Sequence, residues 1–165
     1  MKENRLEKIV VNTSFGKQFM ANPEFEKKFL PEIKNELAQI LGQVPQPRPA
    51  RKSIAGFKIR EGMIIGLRGT LRGKRMEDFL NRVVNIVLPR IRDFAGIKLT
   101  SIDGAGNLTF GIKEQTVFPE IILEESRVSF GVEITLVVKN AMSKEEAIEF
   151  YRKLGLPLKR EKVNK

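Results

Sequence analysis

The chain has 165 residues, 41% of them hydrophobic and 30% charged, a composition that excludes a disordered tail and allows one domain with a real core. Thirty lysines and arginines stand against twenty acids, a formal charge of +10 that favours a polyanionic partner. Cysteine and histidine are both absent, so disulfides and thiolate chemistry are excluded and the commonest general base and metal ligand is missing.

Met1 to Arg5 lacks the apolar run of a signal peptide, and no apolar stretch is long enough to cross a bilayer. A cytoplasmic chain with no membrane contact is expected. Arg5 to Asn12 then reads as a strand, with Ile9 and Val11 on one face and Lys8, Val10 and Asn12 on the other. Asn22 is placed to cap a helix with Pro23 at its first position. Phe25, Phe29, Ile33, Leu37 and Leu41 recur at four-residue steps, which predicts a core-facing helix ending at Gly42 and kinked or split at Pro31.

Pro45, Pro47 and Pro49 keep the next stretch extended, and an irregular loop is expected through Ser53 to Phe57. Met63 to Arg72 alternates as a strand. Met63, Ile65, Leu67 and Leu71 point to a core, while Ile64, Gly66, Arg68, Thr70 and Arg72 point outward. Lys74 to Leu88 carries the stripe Met76, Phe79, Leu80, Val83, Val84 and Val87, a helix closed by Pro89. Asp103 to Asn107 is a turn, a strand with Phe110 and Ile112 follows, and a loop passes through Phe118, Pro119 and Glu120.

Val128 to Val138 alternates again, with its even-numbered apolar residues inward. The last helix opens with a capping box from Ser143 to Glu146 and stops at Gly155 before Pro157. Residues 1–158 are therefore expected to form a single domain, with 159–165 a frayed basic tail. The fold class is α+β: an antiparallel sheet with helices packed on one face and the other face open.

Charge is concentrated. Between Pro45 and Arg75 lie nine of the thirty basic residues and one acid, Glu61, interleaved with Gly56, Gly62, Gly66, Gly69 and Gly73. Cations separated by glycine present bare backbone to something large and negative, which describes a nucleic acid phosphate chain. Gly104-Ala105-Gly106 lacks the third glycine and following helix of a phosphate loop, and the acids Asp103, Glu120, Glu124 and Glu125 lack metal-ligand spacing. No serine sits in a nucleophile elbow. No metal or cofactor is expected. The outward strand face offers Gly, Arg, Thr and Arg, with no aromatic platform for stacking bases, so it should follow RNA backbone and 2′-hydroxyls.

The blocks "ARKSIAGFKIREG", "GTLRG", "VLPRIRDFAG", "DGAGNLTFGIKEQTVFPEI" and "VEIT" occur in that order between about Leu6 and Leu156. Together they resemble the bacterial large-subunit ribosomal protein of the L-five family. The resemblance implies a non-enzymatic constituent of the large subunit whose open sheet face docks on 5S rRNA in the central protuberance. The implied neighbours are 23S rRNA, other 5S rRNA-binding ribosomal proteins, peptidyl-site tRNA, and a small-subunit head protein across an intersubunit bridge.

By the resemblance, Asn12 falls at the Asn of the family's "LNMG" turn, Gln43 in its Gly-Gln pair and Thr70 in its "TLRG" block, where polar groups contact 5S rRNA. Arg68 and Arg72 flank Thr70 on the same outward face. The tRNA-facing loop is then Arg51 to Lys58, extended by Arg60, with Arg51, Lys52, Ser53, Lys58 and Arg60 as its contacting residues. The chain departs from the family in two places. It opens almost directly into the first strand without a preceding helix, whose support would be missing or come from a neighbour. It also has Thr13-Ser14-Phe15-Gly16 in place of "MGVG". The alternative class is an RNA-processing or ribosome-assembly factor using the same basic sheet, against which the absent histidine and the lack of a carboxylate pair both argue. A general duplex-DNA binder leaves the glycine-rich outward strand unexplained.

Overall fold

The computed structural model describes residues 6–15, 22 and 24–160. Five strands form one antiparallel sheet: β1 (Leu6–Ser14), β2 (Gln46–Pro49), β3 (Ile64–Leu71), β4 (Leu108–Ile112) and β5 (Val132–Val138). Their spatial order is β2-β3-β1-β5-β4. The helices are α1 (Phe25–Lys28), α2 (Leu30–Leu41), α3 (Gly73–Arg82) and α4 (Lys144–Lys153). Ile9, Val11, Leu67, Leu71, Leu108, Ile134 and Leu136 from the sheet share one buried cluster with Ile33, Leu37, Phe79, Val83 and Tyr151 from the helical layer. Alternate residues of the same strands face the other way and, apart from the buried Gly66, are half-buried or exposed, so the second face of the sheet is open. The α+β expectation holds.

Several boundaries differ from the sequence reading for identifiable reasons. Strand β1 continues two residues past Asn12, because Ser14 still pairs with Gly66 and the Phe15 N–H donates to Ile65 O. The helical segment starts at Phe25 with Glu24 at its cap position. Asn22 acts two residues earlier, its side-chain oxygen accepting from the Glu24 N–H at 3.0 Å. Arg5, Gly16 and Pro23 lie outside the described residues. The break near Pro31 falls at Phe29 (φ −114°), which ends α1 and precedes α2, and Gly42 closes α2 at φ +72°, where a side chain would be strained.

Pro89 does not end its helix. The chain widens into a π-turn over Val83–Val87, with Leu88 N–H bonded to Val83 O, and a last turn runs from Leu88 to Arg90. The wider turn relieves the clash between a proline ring and the carbonyl four residues back. Val128 and Phe130 are not part of β5. Gln115 takes their backbone instead: its Nε2 donates to Val128 O at 2.7 Å, its Oε1 accepts from Phe130 N–H at 3.1 Å, and its own N–H donates to Phe130 O. Gln115 Nε2 also donates to the buried Glu36, and Glu32 accepts from the Arg127 N–H, which docks the 113–131 segment on α2.

The other end of the sheet is fixed by the turn at Asp103. Its carboxylate accepts from the N–H groups of Ala105 and Asn107, and Asn107 Oδ1 in turn accepts from Val138 N–H on β5. Burial pulls the Asp103 carboxyl upward, but the hydrogen bonds from Asn107, Ala105 and Gly106 outweigh it and hold it below the ordinary aspartate value. Burial, and then the charge of Asp103, push the Tyr151 phenol far above its usual range, so it stays protonated and donates to Gly106 O at 2.6 Å. The capping box of α4 is formed as expected, Ser143 and Glu146 bonding each other's backbone N–H. The basic tail does not fray at its first residue, because Lys159 N–H donates to Ile97 O and Ile97 N–H to Pro157 O. Residues 161–165 lie outside the described part.

Candidate nucleic-acid interface

The open face is built by strand register. Across the sheet Gln46 pairs with Arg68, Arg68 with Asn12, Asn12 with Glu133, and Glu133 with Gly111. At about 4.8 Å per strand this row spans on the order of 19 Å. The next row joins Thr70, Val10, Thr135 and Thr109. Within the first row the Arg68 Nε–H donates to Asn12 Oδ1 at 3.0 Å. That contact fixes both side chains and leaves the terminal guanidinium nitrogens and the Asn12 NH₂ free to bond a partner. In the second row the Thr109 and Thr135 hydroxyls lie 3.1 Å apart, while the Thr70 hydroxyl bonds no group among the described residues.

The structure therefore brings Asn12, Arg68 and Thr70 together on adjacent strands. Asn12 sits mid-strand and half-buried, not exposed at a strand end. Gln43 is close by but already occupied. Its Nε2 donates to Thr70 O at 2.8 Å and its Oε1 accepts from Arg75 at 3.2 Å, so it ties the end of α2 to β3. Arg72 is outside the strand, exposed at the N-cap of α3 with φ −136° and ψ 161°.

Two glycines read as exposed backbone are packing positions. A Cβ on Gly66 would lie 2.7 Å from Thr13 O on the neighbouring strand, and one on Gly69 would overlap Leu41 Cδ1. Only small residues let β1 and α2 approach β3 so closely. Gly66 keeps the outward side assigned to it, in register with Arg48 and Ser14, but it is buried between the two flanking strands.

Residues 50–63 are a hairpin extending β2 and β3, not an irregular loop. Ala50 N–H donates to Met63 O at 2.7 Å, and Ile54 and Ile59 exchange bonds of 2.8 and 3.1 Å around a 3₁₀ turn at Ala55–Phe57. Lys58 takes a left-handed φ of +53° to close it. Arg51, Lys52, Ser53, Lys58 and Arg60 are all exposed around this tip, with Ile54 and Phe57 exposed beside them. Ser53 Oγ accepts from the Glu61 N–H at 3.0 Å, so its hydroxyl oxygen also serves the hairpin.

The sequence reading missed Arg48, Glu133, Thr135 and Thr109 on the open face. For Glu133, Thr135 and Thr109 the signal was present in the alternation of β4 and β5, whose inward positions were read and whose outward ones were not; Arg48 was counted in the cation-rich window, but its strand β2 is only four residues long and shows no alternation. A second exposed surface differs in kind. The segment after Phe118 presents Ile122 and Leu123 at 54% and 65% exposure beside Glu124 and Glu125, an apolar and acidic patch on a basic protein. Glu120 in the same segment accepts from Arg82 of α3, whose guanidinium lies 5.8 Å from the Phe79 ring centroid.

A family described as ribosomal protein L5 matches residues 1–60, and the C-terminal part of that ribosomal family matches residues 64–158. The chain belongs to the ribosomal protein L5 family. Similar proteins named large ribosomal subunit protein uL5 occur in Syntrophomonas wolfei, 46% identical over 96% of this chain and 86% of that protein, and in Rubrobacter xylanophilus, 46% identical over 96% and 85%. The Mesoplasma florum protein of the same name is 46% identical over 95% of this chain and 84% of its own length. Membership makes the protein a structural, RNA-binding component of the ribosome and not an enzyme, working in translation in the cytoplasm. Among the described residues no helix is long and apolar enough to cross a membrane.

Proposed function

We propose that the protein is a large-subunit constituent that holds 5S rRNA on the open face of its sheet, beside 23S rRNA and the neighbouring 5S rRNA-binding proteins of the central protuberance. The observation that carries this reading is the row Gln46, Arg68, Asn12. It sets a cation and two amides side by side on a rigid, two-rowed surface with hydroxyls next to it, a pattern suited to phosphate and 2′-hydroxyl contacts. Thr70 and Arg68 would bond the RNA directly. Gln43 would act mainly by holding the β3 edge and Arg75, and Arg72 would add charge at its end.

The hairpin tip carrying Arg51, Lys52, Ser53, Lys58 and Arg60 extends the sheet beyond the RNA-facing row, and it is assigned to the peptidyl-site tRNA. The acidic and apolar patch at 122–125 suits a basic protein and repels RNA, so it is assigned to the small-subunit head protein at the bridge. A gel-shift titration of the full chain with 5S rRNA, using tRNA and duplex DNA as competitors, tests the main assignment. Binding that survives excess tRNA and DNA is the expected result. Equal displacement by duplex DNA would reduce the face to a general polyanion surface.

A further inference from the structure

Glu133 does not belong on a surface that only follows phosphates. It is exposed in the middle of the open face, directly opposite Asn12 on one side and Gly111 on the other. It makes no ion pair among the described residues, although Arg68 stands only two strands away. A carboxylate there opposes phosphate binding, and it can only accept hydrogen bonds. Its neighbour is complementary. Asn12 Oδ1 is taken by Arg68 on the β3 side, which turns the Asn12 NH₂ away from β3 and toward the β5 side of the row. Opposed residues in such a pair stand about 4.5–5.5 Å apart, so the acceptor and the donor lie side by side.

The space beside them is open. A shallow groove of about 470 Å³ runs along Asn12, Ser14, Gly111, Lys113, Gly131 and Glu133, within the size range of small-ligand sites. A Cβ on Gly111 would meet nothing within 4 Å, so a planar group can lie against bare backbone there. Lys113 at the rim supplies a cation for a flanking phosphate.

From this arrangement we infer that Glu133 and Asn12 read an unpaired guanine of the bound RNA. Guanine is the one common base whose Watson–Crick edge sets two adjacent N–H donors, N1–H and the N2 amine, next to an acceptor, O6. The carboxylate takes the two donors and the Asn12 amide donates to O6. Adenine and cytosine each offer a single amine beside a ring acceptor that would face the carboxylate, and uracil offers one N–H between two carbonyls. Specificity then comes from a residue of the wrong charge for the backbone, and this reading rests on the open face being the RNA surface.

The test compares the full-length wild type, Glu133→Gln and Arg68→Gln on 5S rRNA and on poly(A)·poly(U), a duplex with phosphates and 2′-hydroxyls but no guanine. Glu133→Gln, checked for an unchanged melting curve, should bind 5S rRNA about tenfold more weakly, within the range of a lost bidentate base contact. On poly(A)·poly(U) it should bind at least as well as wild type, since a repelling charge has gone. Tighter or unchanged binding to 5S rRNA would show that Glu133 is only a misplaced charge and would overturn the inference. Equal weakening on both RNAs would overturn it too, pointing to a 2′-hydroxyl contact. Arg68→Gln should weaken both complexes. If it weakens neither, the open face is not the RNA surface and the broader reading falls, independently of what Glu133 does.

Discussion

Thr70 and Leu71 are adjacent and point in opposite directions, so they separate binding from folding. Leu71 is fully buried, and Leu71→Ala should cost about 2–5 kcal/mol of stability through the cavity it leaves. The Thr70 hydroxyl bonds nothing among the described residues. Thr70→Ala should leave the melting curve nearly unchanged and weaken 5S rRNA binding by about 1–3 kcal/mol, as a lost hydrogen bond at a desolvated interface does. Loss of affinity only in a still-folded Leu71→Ala would mean that the strand faces are reversed. Asp103 gives a residue-scale test in pH. Its carboxyl is held below the ordinary aspartate value in the fold, so its ionised form contributes stability above that value, and the contribution fades as pH falls through the lowered one. Wild type and Asp103→Asn should therefore differ most at neutral pH and converge in acid. A gap that widens below about pH 4 would contradict the hydrogen-bond account of that turn.

At the scale of elements the two packed glycines of β3 should behave differently. Gly66→Ala drives a methyl group against the Thr13 carbonyl, part of a neighbouring backbone that cannot yield without disturbing the β1–β3 ladder. Gly69→Ala meets only the end of the Leu41 side chain, which can change rotamer. Overpacking on the order of 1–3 kcal/mol is expected at Gly66 and less at Gly69, read from urea unfolding. Equal losses would show that the close strand approach is not what Gly66 is for. These glycines also mark what the sequence concealed. The alternation in β1 and β3, the capping box at Ser143 and the stop at Gly42 were all legible, because each is a local pattern. Gly66 and Gly69 looked like bare backbone for a ligand because their crowding comes from β1 and α2, distant in sequence. Val128 and Phe130 looked like strand because their side-chain pattern continues that of β5, while Gln115, thirteen and fifteen residues away, takes their hydrogen bonds.

Over the whole molecule, charge and shape distinguish three surfaces, to which the proposed function gives different partners. The cation-rich window seen in the sequence separates in the structure into the β2–β3 row, the hairpin tip and the start of α3 at Arg72, Lys74 and Arg75, and the acidic patch at 122–125 belongs to a different segment. Arg51→Ala with Lys52→Ala changes only exposed residues of the tip. The pair should leave affinity for isolated 5S rRNA nearly intact and weaken retention of peptidyl-site tRNA on ribosomes that carry the variant. The reverse pattern would move 5S rRNA to the tip. The site itself was half legible: Thr70, Arg68 and Asn12 could be placed on one face by alternation, but which residues lie beside them depends on the β1–β5 register, which no local pattern specifies.

On the proposed function the open sheet face, and not the charge of the protein as a whole, holds 5S rRNA. The salt dependence of 5S rRNA affinity separates the two, compared among wild type, Arg68→Gln on that face, and Arg152→Gln on the exposed side of α4. Both substitutions remove one positive charge, so their effects on net charge are equal. If the face makes the contact, log affinity against log salt should become shallower by roughly one unit for Arg68→Gln, the loss of one phosphate contact, and stay at the wild-type slope for Arg152→Gln. Identical slopes for the two variants would mean that positive charge anywhere on the protein suffices and that the open face is not the RNA surface.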